Sequence, residues 1–209
     1  MKKVLMMSVL LISAVAFGQT EKGSKYIGGG VGFSTSGGET DNGNTTVDAP
    51  TFSTYNVSPS VGYFVADDLA VGLMLNVSGT KWKDDANDSK NTTSTFGVSL
   101  FAKKYKSIVE NFYVFGQANV GFGAGSSKNE NNGTSVDGPK TSSFFVGVAP
   151  GVEYFFSPKV SMSCSVGALS FVSSTEKEDF GGNEVKDKDS TFDLNLNLSA
   201  VNFGFYYFF

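Results

Sequence analysis

The chain has 209 residues, with 16 lysines and no arginine against 20 acidic residues, for a formal net charge of -4, and 14% of it is aromatic. With no histidine and a single cysteine, Cys164, it lacks Ser-His and Cys-His nucleophilic pairs, imidazole-based zinc sites and internal disulfides. The acidic balance argues against nucleic acid as a partner, and the aromatic content argues against a disordered tail.

At the N-terminus, Lys2 and Lys3 precede an apolar run from Val4 to Val15, and Ala16-Phe17-Gly18 follows. Basic, apolar and small residues in that order read as a secretory signal peptide over residues 1–18, leaving 19–209 as the mature part. The apolar run falls short of the ~20 residues a helix needs to cross a bilayer.

Eight runs of alternating character follow, each with apolar residues on one parity and small or polar ones on the other. The first spans about 25–35, with Ile27, Val31 and Phe33 opposed to Gly28, Gly30 and Gly32. In the second, about 51–64, Tyr55, Val57, Val61 and Tyr63 face away from Asn56, Ser58 and Ser60. The third, about 69–79, sets Leu69, Val71, Leu73, Leu75 and Val77 against Gly72, Met74 and Asn76. Phe96, Val98 and Leu100 carry the fourth, with Ser99, Phe101 and Lys103 on the other side. The fifth, about 112–123, places Ala118, Val120 and Phe122 opposite Gln117 and Asn119. The sixth and seventh, about 142–155 and 160–172, oppose Val146, Val148 and Val152 to Ala149 and Glu153, and Met162 and Cys164 to Ser161, Ser163 and Ser165. Last come Val201, Phe203, Phe205, Tyr207 and Phe209 in one phase, with a bulge expected near Ser199-Ala200, where the parity changes.

The connections alternate in length. Segments 36–50, 80–92, 124–141 and 173–190 are long and polar, whereas 65–68, 105–111 and 156–159 are short. Such sorting predicts an all-β, eight-stranded antiparallel up-and-down barrel with its long loops at one end. A soluble carrier would turn its apolar face inward and a membrane barrel turns it outward. The polar parity is too poor in charge for a solvent face. Aromatics gather at two heights, with Tyr63, Phe64, Tyr105, Tyr154, Phe155, Tyr207, Phe208 and Phe209 among those near the short turns and Phe33, Tyr55, Phe96, Phe122 and Phe144 near the long loops. Two aromatic belts around an apolar band predict a transmembrane barrel.

Three segments carry a family resemblance: the opening Gly28-Gly29-Gly30-Val31-Gly32-Phe33, the turn from Gly62 through Asp67-Asp68 to Leu73, and the ending from Asn202 to Phe209. The mature chain resembles the small outer-membrane barrels of Gram-negative bacteria, the OmpA-, OmpX- and opacity-type porin family. That resemblance implies a cell-envelope protein in the outer membrane. It also implies that Phe203, Phe205, Tyr207 and Phe209 form the C-terminal signal read by the barrel assembly machinery. Unlike longer OmpA-type members, the chain has no stretch read as a peptidoglycan-binding domain.

No catalytic, cofactor or metal residues emerge, so no enzyme and no cofactor is expected. The acidic cluster Asp84, Asp85, Asn87 and Asp88 lacks the glycine and glutamate spacing of a calcium loop. Lys103 and Glu153, both on the inward parity, are expected to pair inside the lumen, with Asn56, Asn76, Gln117 and Asn119 as further polar lumen residues. The expected partners are outer-membrane lipid, lipopolysaccharide and the assembly machinery, with surface ligands at the four long loops. A monomer with a filled lumen is expected, in a structural or loop-binding role. The alternatives are a surface adhesin and a narrow porin for small solutes.

Overall fold

The computed structural model describes residues 20–41, 46–166, 168–180, 183–195 and 201–209. The signal-peptide reading over 1–18 and the bulge expected near Ser199-Ala200 lie outside the described residues. Among the described residues ten strands follow in order: β1 (Lys25–Asp41), β2 (Thr46–Ala66), β3 (Leu69–Asp84), β4 (Ser89–Val109), β5 (Phe112–Asn131), β6 (Thr134–Ser157), β7 (Val160–Val166), β8 (Ala168–Phe180), β9 (Asn183–Asn195) and β10 (Val201–Phe208).

All pairings are antiparallel. Strands β1 to β7 pair with their chain neighbours, and β10 lies between β7 and β1, closing a ring of eight. β6 bonds β7 along Gly151–Ser157 and β8 along Lys140–Val148, so β7 and β8 share one side of β6. β8 takes β7's place beside β6 from the level of Val148, and β9 pairs with β8. The seventh run expected from sequence is covered by β7 and the start of β8, which lie on either side of residue 167, outside the described residues.

Alternation decides which side of each strand is which. Along β4, Gly97, Ser99, Phe101, Lys103 and Tyr105 are buried, and Val98 and Leu100 between them are exposed. The same outward parity leaves Val61, Leu73, Val120, Val148 and Phe205 exposed around the ring. A contiguous apolar belt of this kind is stable against lipid and not against water.

The strands outrun the membrane. β6 has 24 residues, whereas ~9–11 suffice for a tilted membrane strand. Here the sequence reading needs correction, because most of segments 36–50, 80–92, 124–141 and 173–190 is paired strand and not loop. Their Ser, Thr, Asn and Lys content suggested loops, but cross-strand pairing satisfies the backbone and polar side chains face water on both sides. The arm joining β5 to β6 turns at Asn132-Gly133, both at positive φ (47° and 74°), which is the hairpin chemistry of an Asn-Gly pair. Segment 105–109, read as part of a short turn, also belongs to strand β4, and only Glu110 and Asn111 turn.

At the opposite end, Asp68 and Asn111 take positive φ (61° and 63°) in two-residue turns. The N-terminal segment is tied to the first of these, since Thr20 donates from Oγ1 to Asp68 Oδ1 at 2.7 Å and the Lys22 backbone N–H donates to Asp67 Oδ1 at 2.9 Å.

Candidate functional site

The functional interior is the lumen, built in two storeys by inward residues of every ring strand. The lower storey, beside the short turns, is aromatic. Tyr26, Phe64, Phe101, Tyr105, Phe115, Phe155 and Phe208 are buried together, with Tyr113 and Tyr206 packed against them. Phe155 meets Phe208 at 5.0 Å between ring centroids, Tyr26 meets Phe208 at 5.1 Å, and Phe64 meets Tyr105 at 5.6 Å. This corrects the lower belt, because Phe64, Tyr105, Phe155 and Phe208 fill the lumen, while Tyr63, Tyr154, Tyr207 and Phe209 stay outside. Height along the barrel suggested one belt, and strand parity separates the two sets.

Inward glycines make room for these rings. A Cβ on Gly62 would collide with the Tyr26 ring, and one on Gly151 would meet the Phe115 ring as well as the Cys164 carbonyl. Each ring therefore lies over a neighbouring strand that has no side chain at that level.

One ion pair sits within the aromatics. Lys103 on β4 donates from Nζ to Glu153 Oε2 at 2.5 Å, and the two side chains are 1% and 0% exposed. Ser161 on β7 donates to the other carboxylate oxygen. The ammonium also lies 3.9 Å from the Phe115 ring centroid, 4.7 Å from that of Tyr206 and 4.9 Å from that of Tyr105. Ring faces carry negative electrostatic potential, so the three rings supplement the carboxylate as partners of the cation. Parity made the pair foreseeable from sequence; the aromatic cage was not foreseen.

The upper storey is polar. Asn56, Asn76, Gln117 and Asn119 line one cavity of about 630 Å³. Gln117 donates from Nε2 to Asn119 Oδ1 at 2.9 Å. Among the described residues no charged side chain lines this space, whose floor includes Phe115 and Tyr206.

The remaining sequence candidates lie elsewhere. Phe203, Phe205, Tyr207 and Phe209 share the outer face of the last strand and are 45–61% exposed. In the acidic cluster, Asp84 accepts from the Ala86 backbone N–H and from Asn87 Nδ2, and Asp85 pairs with Lys83 at 2.6 Å, which makes it a hydrogen-bonded turn.

The family described as outer membrane protein beta-barrel domain matches residues 4–207. Curated proteins contain no match. Among solved structures, the outer membrane protein OprG from Pseudomonas aeruginosa aligns over 90% of this chain and 97% of its own, at 15% identity and a TM-score of 0.53. A major outer membrane protein from Thermus thermophilus aligns over 89% and 98%, at 15% identity and a TM-score of 0.46. Ail, the attachment invasion locus protein of Yersinia pestis, aligns over 90% and 99%, at 17% identity and a TM-score of 0.40. At such identities the likeness is one of fold.

Proposed function

The chain belongs to the outer membrane protein beta-barrel domain family, and from that premise we propose that it is a closed, non-conducting barrel whose work is done by its outward-reaching strand arms. The family and its structural neighbours are outer-membrane barrel proteins, so its place is the outer membrane. One observation carries the proposal: the lower lumen is filled across its width by the rings around Lys103 and Glu153. Eight strands enclose little more than their own side chains, and here those side chains are large and mutually packed. Opening an ion path would require breaking an ion pair that has no water to replace it.

What remains accessible on the outer side of the membrane is the set of arms. They are polar and rich in charge, and segments 36–50, 80–92, 124–141 and 173–190 are the candidate surfaces for lipopolysaccharide or an external ligand. A rigid scaffold holding variable extensions is where binding function concentrates. The outward Phe203, Phe205, Tyr207 and Phe209 supply the aromatic, apolar face the assembly machinery would read during insertion.

The test is a denaturing gel of boiled and unboiled protein from the outer-membrane fraction, run beside planar-bilayer recordings. A heat-shifted band without steady current is the expected result. Steady current from the intact wild-type barrel would refute the closed lumen.

A further inference from the structure

Above the apolar band the two faces of the arms carry opposite charge. Register places Lys81, Lys83, Lys90, Lys128, Lys140 and Lys177 on the outward parity. Glu39, Asp48, Glu176, Asp187, Asp189 and Asp193 fall on the inward parity. Lys83 is directly opposite Lys90, and Lys140 is directly opposite Lys177. Like charges opposed across strands repel, and solubility alone is served by interspersed signs. The acids beside these lysines are Asp85, paired with Lys83 at 2.6 Å, Glu130, paired with Lys90 at 2.9 Å, and Asp137, opposite Lys128. Cations therefore remain in excess on this wall.

Two hollows in the same wall meet at the lysines. The lower, of about 430 Å³, is bounded by Tyr55, Val77, Phe96 and Ala124 and ends at Ser94, Ser126 and Lys140. The upper, of about 440 Å³, begins at those same three residues and continues past Thr92 to Lys90 and Lys128. Small outward residues make the lower hollow. Ala124 stands opposite Phe96, and the Tyr55 ring lies over Gly79, where a Cβ would collide with it.

Height indicates what could fill them. Lys140 is four residues beyond Phe144, and Lys128 is six beyond Phe122. At ~3.3 Å per residue and a strand tilt of ~40°, they stand ~10 and ~15 Å above the upper aromatic belt. A phospholipid headgroup layer reaches only ~5–8 Å beyond the hydrocarbon. The lysines are thus at the level of phosphates carried on sugar rings, while Tyr55 and Phe96 remain at the lipid boundary.

We propose that the joined hollows hold one molecule of a phosphorylated glycolipid of the outer leaflet. Lys90, Lys128 and Lys140 bind its phosphate, with hydroxyl donors from Thr92, Ser94 and Ser126. A sugar ring rests on Tyr55 and Phe96, and the acyl chains descend over the exposed Val98 and Val120. Free phosphate could make the same ion pairs but has nothing to place in the lower hollow. The inference rests on the reading of the arms as the working surface above a closed lumen. Failure of that closure shows as steady current, which lipid affinity does not read.

The full chain, folded in tetraethylene glycol monooctyl ether micelles, is titrated with diphosphoryl lipid A and separately with phosphatidylglycerol, and bound lipid is counted by native mass spectrometry. A saturable one-to-one complex with lipid A is expected, with phosphatidylglycerol at least tenfold weaker and no displacement by millimolar inorganic phosphate. Lys128→Gln combined with Lys140→Gln lowers lipid A affinity at least tenfold while the heat-shifted band persists. Lys186→Gln combined with Lys188→Gln, which removes the same charge from β9, leaves it within twofold. Equal losses in the two double variants would reduce the site to diffuse surface charge and overturn it. Displacement by phosphate, or equal affinity for phosphatidylglycerol, would overturn the glycolipid as its occupant. The lipid comparison on the wild type stands even where a variant fails to fold.

Discussion

Burying a lysine and a glutamate at 1% and 0% exposure removes both from water, a cost that their mutual contact, Ser161 and three ring faces offset. Removing one partner leaves the other charge buried and unpaired. Glu153→Gln and Lys103→Met are each expected to destabilise the barrel by ~3–5 kcal/mol, and Lys103→Met with Glu153→Leu together to recover most of that loss. The measurement is the urea concentration at which the heat-shifted band disappears in lipid. Single variants within about 0.5 kcal/mol of wild type, the range of ordinary surface changes, would deny the pair its structural role. Gly62→Ala is a second residue-scale case, because its Cβ must displace the Tyr26 ring. Such overpacking costs ~1–3 kcal/mol by the same urea assay, and an unchanged midpoint would mean that the ring has room to move. Lys103, Glu153 and the four lumen amides were legible in the sequence because period-two alternation fixes the side of every residue in a regular strand. Phe64 and Tyr105 were misread for want of the same argument: both share the parity of inward neighbours, Ser60 and Lys103, but their nearness to a turn was given more weight.

At the scale of the strand, the eight barrel crossings were legible and their extensions were not. Alternation of apolar with polar residues marks a strand only where one face meets lipid or core. Past the membrane both faces of β5 and β6 are wet, so the contrast vanishes while the pairing continues to Asn131↔Thr134. Asn132-Gly133 was the available signal, since both residues favour the positive φ a tight hairpin needs. Gly133→Ala places a side chain at φ 74°, at a cost of roughly 1–2 kcal/mol. Trypsin is expected to cut faster at Lys128 and Lys140 in this variant while the membrane band stays intact; unchanged cleavage would show that the turn does not hold the arm. On the neighbouring pairing, Lys90 donates to Glu130 at 2.9 Å, and that hydrogen bond holds the Glu130 carboxyl below its ordinary range. A carboxyl depressed in the folded arm contributes above its unfolded pKa, and the contribution disappears as pH falls through the depressed value. Amide exchange in Ser89–Thr92 and Lys128–Asn131 is thus expected to quicken, relative to the barrel strands, on acidification below about pH 4, and Glu130→Gln is expected to abolish the difference.

At the scale of the molecule, two demands meet in one short cylinder. The outer face must be apolar around the ring, so every second residue of each strand is committed to lipid. The inner face has too little width for an aqueous core, and it is filled from below by rings laid over glycines. If that filling is what closes the lumen, its removal must open it without dissolving the barrel, whose ring is held by strand pairing. Phe101→Ala with Phe155→Ala deletes one ring each from β4 and β6, the strands that carry Lys103 and Glu153. Each such truncation costs ~3–5 kcal/mol of packing, so the heat-shifted band must be checked before current is read. With the ion pair still in place, an intermittent, small current is expected. Adding Glu153→Gln removes the negative charge that Lys103 is paired with and is expected to convert this into steady current that rises in proportion to salt. A triple variant that still shifts on heating and still passes no current would place the closure elsewhere, in the upper storey or the arms, and the aromatic cluster would then be packing for the barrel wall with no part in sealing it.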